Sequence, residues 1–215
     1  MKRIIIPTAA LLLLLSMPAA CSGSGDAAKF KHEYEVLNGQ TTADGANVYK
    51  QVDIPANNPF VYADGETAKK LLTTKTGILY MGFPECPWCR TLLPALIAAY
   101  QESGYKGPIY YYNALNDRDQ LSLSDDGQIV TDEAGAPVYH DLVQILYNYL
   151  TPYDGLNDPT IKRIYLPTTV FFKDGAVTAV HLDTIDSQKD GYDPLTDEQF
   201  NEMKDTLVGE IKTIQ

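Results

Sequence analysis

Short apolar runs and longer helical stripes alternate through the middle and end of this chain. Gly77-Ile78-Leu79-Tyr80-Met81-Gly82-Phe83 is brief and continuously apolar, the pattern of a strand buried on both faces. After it, Thr91 to Tyr100 carries Leu92, Leu93, Leu96, Ile97 and Tyr100 on one helical stripe. Ile109-Tyr110-Tyr111-Tyr112-Asn113 reads as the next strand. Thr168–Lys173 and Ala176–Leu182 flank Asp174-Gly175, a strong hairpin signal. Thr196 with Gln199 three residues on is a capping box, and Phe200, Met203, Leu207 and Ile211 recur behind it at helical spacing. A further helix is predicted over Tyr139–Leu150, burying Leu142, Ile145, Leu146 and Tyr149. The pattern is that of an α/β protein, a central mixed β-sheet flanked by helices.

Between and before these elements the pattern weakens. Residues 116–138 are acidic and rich in turn residues, with Gln128-Ile129-Val130-Thr131 as a short strand, so a projecting hairpin is predicted. The acidic spacing there does not fit a calcium loop. Upstream, Tyr34-Glu35-Val36-Leu37 and Val48-Tyr49-Lys50-Gln51-Val52 suggest two short strands, and Glu66–Leu72 a helix.

The candidate chemistry lies between the first strand and its helix, at Cys86-Pro87-Trp88-Cys89. The chain has only three cysteines, and the third, Cys21, is remote in sequence. A structural disulfide gains most by closing a long loop, and this ring is about the shortest that forms comfortably. Zinc wants four ligands, whereas the histidines at 32, 140 and 181 are scattered. Redox chemistry is the favoured reading, with a zinc or copper carrier using the thiolates and His181 as an alternative. Pro87 suits the first helical position, which puts Cys86 at the helix N-cap, exposed at a strand end. Unpaired N–H groups and the helix dipole there favour a thiolate. Cys89, one turn inside, is placed to resolve a mixed disulfide made by Cys86.

These residues resemble the thioredoxin superfamily. Pro94 falls where the family commonly kinks its active-site helix, and Arg90 where it often has a basic residue. Tyr165-Leu166-Pro167-Thr168-Thr169-Val170-Phe171-Phe172-Lys173-Asp174-Gly175 is similar to its cis-proline strand. The resemblance covers residues 76–213 and implies a thioredoxin-like fold with an N-terminal extension and an insertion between the redox helix and the cis-proline strand. It implies a cis bond at Pro167 and a client-binding role for Leu166, Pro167 and Trp88, with no cofactor. Where the family buries an acid, this chain has Tyr80, a much poorer base at neutral pH. Glu85 beside the nucleophile opposes thiolate formation only if it points inward.

The N-terminus supplies an address. Lys2 and Arg3, then apolar Ile4–Ile6 and Leu11–Leu15, then Ala19-Ala20 form the three parts of an export signal over residues 1–20. Cys21 followed by Ser22-Gly23-Ser24-Gly25 resembles a bacterial lipoprotein, with lipidated Cys21, a flexible linker over 21–32 and the domain at 33–215. Plain secretion with a free thiol and an uncleaved anchor are the other readings. A formal charge of −11 disfavours nucleic acid and direct adhesion to anionic lipid. The expected partners are client proteins with thiols or disulfides, a membrane electron donor, and the membrane itself through the lipid. A non-catalytic binding module, its disulfide kept closed and its acidic insertion recognising a partner, is the reading from another class.

Overall fold

The computed structural model describes residues 23–215. The expected export signal over 1–20 and Cys21 lie outside the described residues. Among the described residues no helix is long and apolar enough to cross a membrane.

The elements run α1 (Gly23–Glu35), β1 (Phe60–Tyr62), α2 (Gly65–Thr74), β2 (Gly77–Met81), α3 (Pro87–Ser103), β3 (Ile109–Tyr112), β4 (Gln120–Leu123), β5 (Ile129–Glu133), α4 (Pro137–Leu146), β6 (Thr168–Lys173), β7 (Ala176–Leu182) and α5 (Asp197–Lys212). Five strands form one mixed sheet in the order β1-β3-β2-β6-β7. β1 and β2 both lie parallel to β3, whereas β6 runs antiparallel to β2 and β7. The alternation of strand side chains divides the core in two. Ile78 and Tyr80 of β2, with Ile109 and Tyr111 of β3, face α3 and α5 through Leu92, Leu96, Met203, Leu207 and Ile211. Leu79, Met81, Val170 and Phe172 face α2 and α4 through Leu72, Tyr139, Leu142 and Leu146.

Local chemistry explains the ends of these elements. Asp174 and Gly175 both take positive φ, 52° and 78°, which the two-residue turn between β6 and β7 requires. Thr196 and Gln199 close both bonds of the capping box on α5. The acidic segment forms the hairpin β4–β5, whose second strand is exposed along its whole length.

Three expectations need correction. Residues 23–35 form α1, not a flexible linker, because Ala27, Phe30 and Tyr34 recur at helical spacing and are buried. Phe30 stacks on Phe60 at 3.9 Å and meets Tyr111 edge-on at 4.8 Å, burial that a tether would forgo. The strands expected at 34–37 and 48–52 are absent. Tyr34 and Glu35 belong to the helix, and the nearest ladder contact is an isolated bridge between Thr41 and Val48. The extension's strand is instead β1. Finally, α4 spans 137–146 and not 139–150. Pro137 starts it, and its buried stripe of Tyr139, Leu142, Val143 and Leu146 ends with the helix, leaving Ile145 half-buried and Tyr149 exposed.

Candidate functional site

The two cysteines sit where β2 hands the chain to α3. Cys86 is the N-cap, with Pro87 at the first helical position. Its Sγ accepts the Cys89 backbone N–H at 3.3 Å and lies 3.5 Å from the Leu166 carbonyl oxygen. The Leu166–Pro167 bond is cis. Both sulfurs are free thiols in this structure. The expectation that Cys86 is exposed is corrected: only 4% of it is reachable by solvent, and none of Cys89. Its neighbours Trp88 and Leu166 both line a surface cavity, so Cys86 lies buried beside that cavity rather than at an exposed tip.

Electrostatics divides the pair. Hydrogen bonding from the Cys89 thiol, with the Cys89 and Trp88 backbone N–H groups, holds Cys86 below the ordinary thiol range, against burial and the nearby Asp183 carboxylate. Hydrogen bonds to a charged group contribute about 1.5–3 kcal/mol each, whereas a helix terminus contributes about 0.3–1 kcal/mol, so the local donors outweigh the macrodipole. Burial, and then Cys86, push Cys89 well above the ordinary range. Glu85 is solvent-exposed.

Beneath Cys89 lies a closed polar pocket. A methyl group placed on Gly82 would fall 2.6 Å from the Tyr80 hydroxyl and 3.1 Å from Cys89 Sγ, so glycine is what lets these two groups face each other. The Tyr80 hydroxyl is 3.1 Å from that of Tyr34, which α1 delivers, and both rings are fully buried. Burial raises both phenols well above their ordinary range, so Tyr80 faces Cys89 as a neutral hydroxyl and not as a base. Arg90 is buried beside them and, among the described residues, has no carboxylate within ion-pair distance. Its Nε reaches the Lys50 carbonyl at 2.7 Å, its Nη1 the Tyr34 and Pro84 carbonyls at 2.9 and 3.0 Å, and its Nη2 the Asn38 side-chain oxygen. Lys50 in turn binds the Thr91 hydroxyl and the Asp193 carbonyl, tying the segment before α5 to the first turn of α3.

Beside Cys86 the surface opens into a cavity of about 280 Å³ lined by Trp88, Thr151, Asp154, Arg163, Tyr165, Leu166, Leu182 and Asp183. Asp183 adopts positive φ, 58°, and its backbone N–H donates to the Pro167 carbonyl at 3.0 Å. Burial raises its carboxyl. Pro167 and Leu166 thus come together with Cys86, Cys89 and Trp88. His181 does not join them: its Nδ1 lies 3.1 Å from Glu210, and among the described residues no group of three or more His, Cys, Asp or Glu side chains is arranged to hold a metal ion.

Tyr34, Arg90 as a structural hub, Lys50, Gly82 and Asp183 escaped sequence reasoning as site residues. Only the Gly82 position, two residues past Tyr80 and immediately before the loop to the cysteines, carried a local signal, an isolated glycine in an apolar run. No protein-family model matches the chain, and no curated protein matches it by sequence.

Proposed function

We propose that this chain is a thiol-disulfide oxidoreductase of thioredoxin-like fold, exported and tethered to the bacterial cell membrane through a lipid on Cys21. One observation carries the reading: Cys86 Sγ, at a helix N-cap and with its thiolate favoured, meets both Cys89 and the Leu166 carbonyl beside a cis-proline. The Cys86 thiolate attacks one sulfur of a client disulfide, forming a mixed disulfide and releasing the other client sulfur as a thiolate. Cys89 then gives up its proton to that leaving thiolate and attacks Cys86 Sγ. The second client sulfur leaves as a thiolate and takes its proton from water, so the client ends as a dithiol and the Cys86–Cys89 disulfide remains, two electrons having passed to the client. A membrane reductase then supplies two electrons to reopen the Cys86–Cys89 bond. Tyr80 favours the second step by hydrogen bonding to the Cys89 thiolate as it forms. An extended client backbone pairs with Leu166 and packs over Pro167 and Trp88.

The near-complete burial of the pair favours the second reading, a binding module whose disulfide stays closed. Trp88, the only tryptophan, distinguishes the two. In a titration with a thiol redox buffer its fluorescence is expected to change reversibly, and the change to vanish in Cys86→Ser. Fluorescence indifferent to reductant, with no catalysed reduction of insulin, would leave the binding module standing.

A further inference from the structure

Two guanidinium groups beside the site lack the partners that arginines are normally given. Arg163 lines the cavity next to Cys86 and stacks on Tyr153, 4.4 Å from the ring centre. Its Nη2 donates to the Asp119 backbone carbonyl at 2.9 Å, and its buried Nε has no partner. Arg118 is half-buried, and its Nε is likewise buried and unpartnered. Arg163 and Cys86 both lie within electrostatic reach of Arg118, and the like charge of Arg163 adds to burial in disfavouring its charged form. Among the described residues neither guanidinium has a carboxylate within ion-pair distance. Asp119 turns its backbone, not its carboxylate, to Arg163, and its own buried Oδ1 is unpartnered. Two half-buried guanidiniums without an ion pair are unusual in a chain of net charge −11, where carboxylates are abundant. The fork of arginine is shaped for a carboxylate.

We infer that Arg118 and Arg163 form an anion subsite beside Cys86 that receives a carboxylate of the client polypeptide, so that the preferred disulfide has an Asp or Glu close to the attacked half-cystine. The inference rests on the redox reading above. Asp154 and Asp183 line the same cavity but leave the guanidiniums unpaired. Asp183, with Trp88 and Leu182, is shared with a neighbouring cavity lined by Asp186 and Gln188, which Arg163 does not reach. A client that is acidic on one side of its cysteine only is therefore the best match.

The test compares cystine-bridged peptides that differ only in carrying Glu, Gln or Lys beside the half-cystine, with the full chain as enzyme. At low salt kcat/KM is expected to be about tenfold higher for Glu than for Gln, and lowest for Lys, with the preference shrinking as salt rises. In Arg163→Gln, and further in the Arg118→Gln, Arg163→Gln double variant, the Glu-to-Gln ratio should fall toward one, while Arg163→Lys retains part of it. Equal turnover of Glu and Gln peptides by the unaltered protein, a comparison that needs no variant to fold, overturns the subsite. Better turnover of oxidised glutathione than of the acidic peptide overturns its assignment to a polypeptide carboxylate. A second arm uses the Glu peptide with Ser in place of Cys and reads binding through Trp88 fluorescence. Salt-sensitive binding lost in Arg163→Gln, with no turnover of any disulfide, keeps the anion subsite and sinks the redox reading alone. Absence of such binding, with charge-independent turnover, sinks the subsite alone.

Discussion

Beneath Cys89 the protein closes a pocket in which nearly every polar group finds a partner, whereas beside Cys86 it leaves charged groups without one. Arg90 in the first region spends its donors on three carbonyls and an amide oxygen, and Tyr34 and Tyr80 satisfy each other. The unpartnered atoms on this side, the Tyr111 and Thr169 hydroxyls and the Gln188 side-chain oxygen, are all uncharged. In the second region Arg118, Asp119 and Arg163 all carry buried polar atoms with no partner. The same residue type, arginine, is thus a structural bolt on one side and an open receptor on the other. Satisfied groups rigidify the resolving thiol, and unsatisfied ones remain for a ligand to complete.

Substituting the arginines breaks this comparison most directly. Arg90→Met leaves the carbonyls of Tyr34, Pro84 and Lys50 and the Asn38 oxygen without their donor. Each stranded buried group costs about 1–3 kcal/mol, so a loss of about 3 kcal/mol or more is expected in urea unfolding. Arg163→Gln, whose guanidinium gives up one carbonyl bond and a ring contact, should cost about 1 kcal/mol or less. Equal losses from the two would mean that Arg163 is as structural as Arg90.

Tyr80→Phe comes next in size. It removes the hydroxyl that faces Cys89 and strands that of Tyr34. A hydrogen bond to a forming thiolate contributes about 1.5–3 kcal/mol, so resolution of the mixed disulfide should slow by about 10- to 100-fold. The first attack, at Cys86, should be nearly unaffected. Stopped-flow decay of a preformed mixed disulfide separates the two steps, and a change in attack alone would remove Tyr80 from the Cys89 side.

A smaller effect sharpens the other region. Of the two thiols of the pair, alkylation of the reduced protein should occur at Cys86 and not at Cys89, with a pH midpoint below the ordinary 9.0. Because the Asp183 charge opposes the thiolate, Asp183→Asn should lower that midpoint further, by less than about one unit. Asn tolerates the positive φ of position 183, so the backbone bond to Pro167 survives. A midpoint that rises would place the carboxylate's influence elsewhere.

How much of this was legible depended on whether the signal was local. The Cys86-Pro87 junction, the Asp174-Gly175 turn and the Thr196–Gln199 box each encode their geometry within four residues, and each forms as the pattern predicts. Helix α1 gives a weak local signal because its apolar stripe is thin, Ala27, Phe30 and Tyr34 among charged residues, and because Gly and Ser at its start imitate a linker. Its burial comes from distant partners, Phe60 and Tyr111. The exposure expected for Cys86 failed for a related reason: a group that meets it arrives from Leu166, 80 residues along the chain. The unpaired state of Arg118 and Arg163 is likewise a property of what the fold keeps away, which no window of sequence contains.

The smallest expected effect concerns Lys50, which joins the closed pocket to the segment before α5. Burial lowers its pKa from 10.5 to about 8, with Asp190 and Asp193 opposing. The folded state therefore holds this proton less tightly than the unfolded state, and between about pH 8 and 10.5 the unfolded chain binds more protons. Stability contributed by this group must then rise with pH across that window. Buried phenols with raised pKa values act in the opposite sense near pH 10, so the useful quantity is a difference between proteins. The stability of the unaltered chain minus that of Lys50→Met should increase between pH 7 and 9.5, by less than about 1 kcal/mol because the ammonium is half in solvent. A difference that is flat with pH would show Lys50 fully solvated, and the strap from Asp190 to Asp193 would then lie off the first turn of α3, opening the closed side of the comparison.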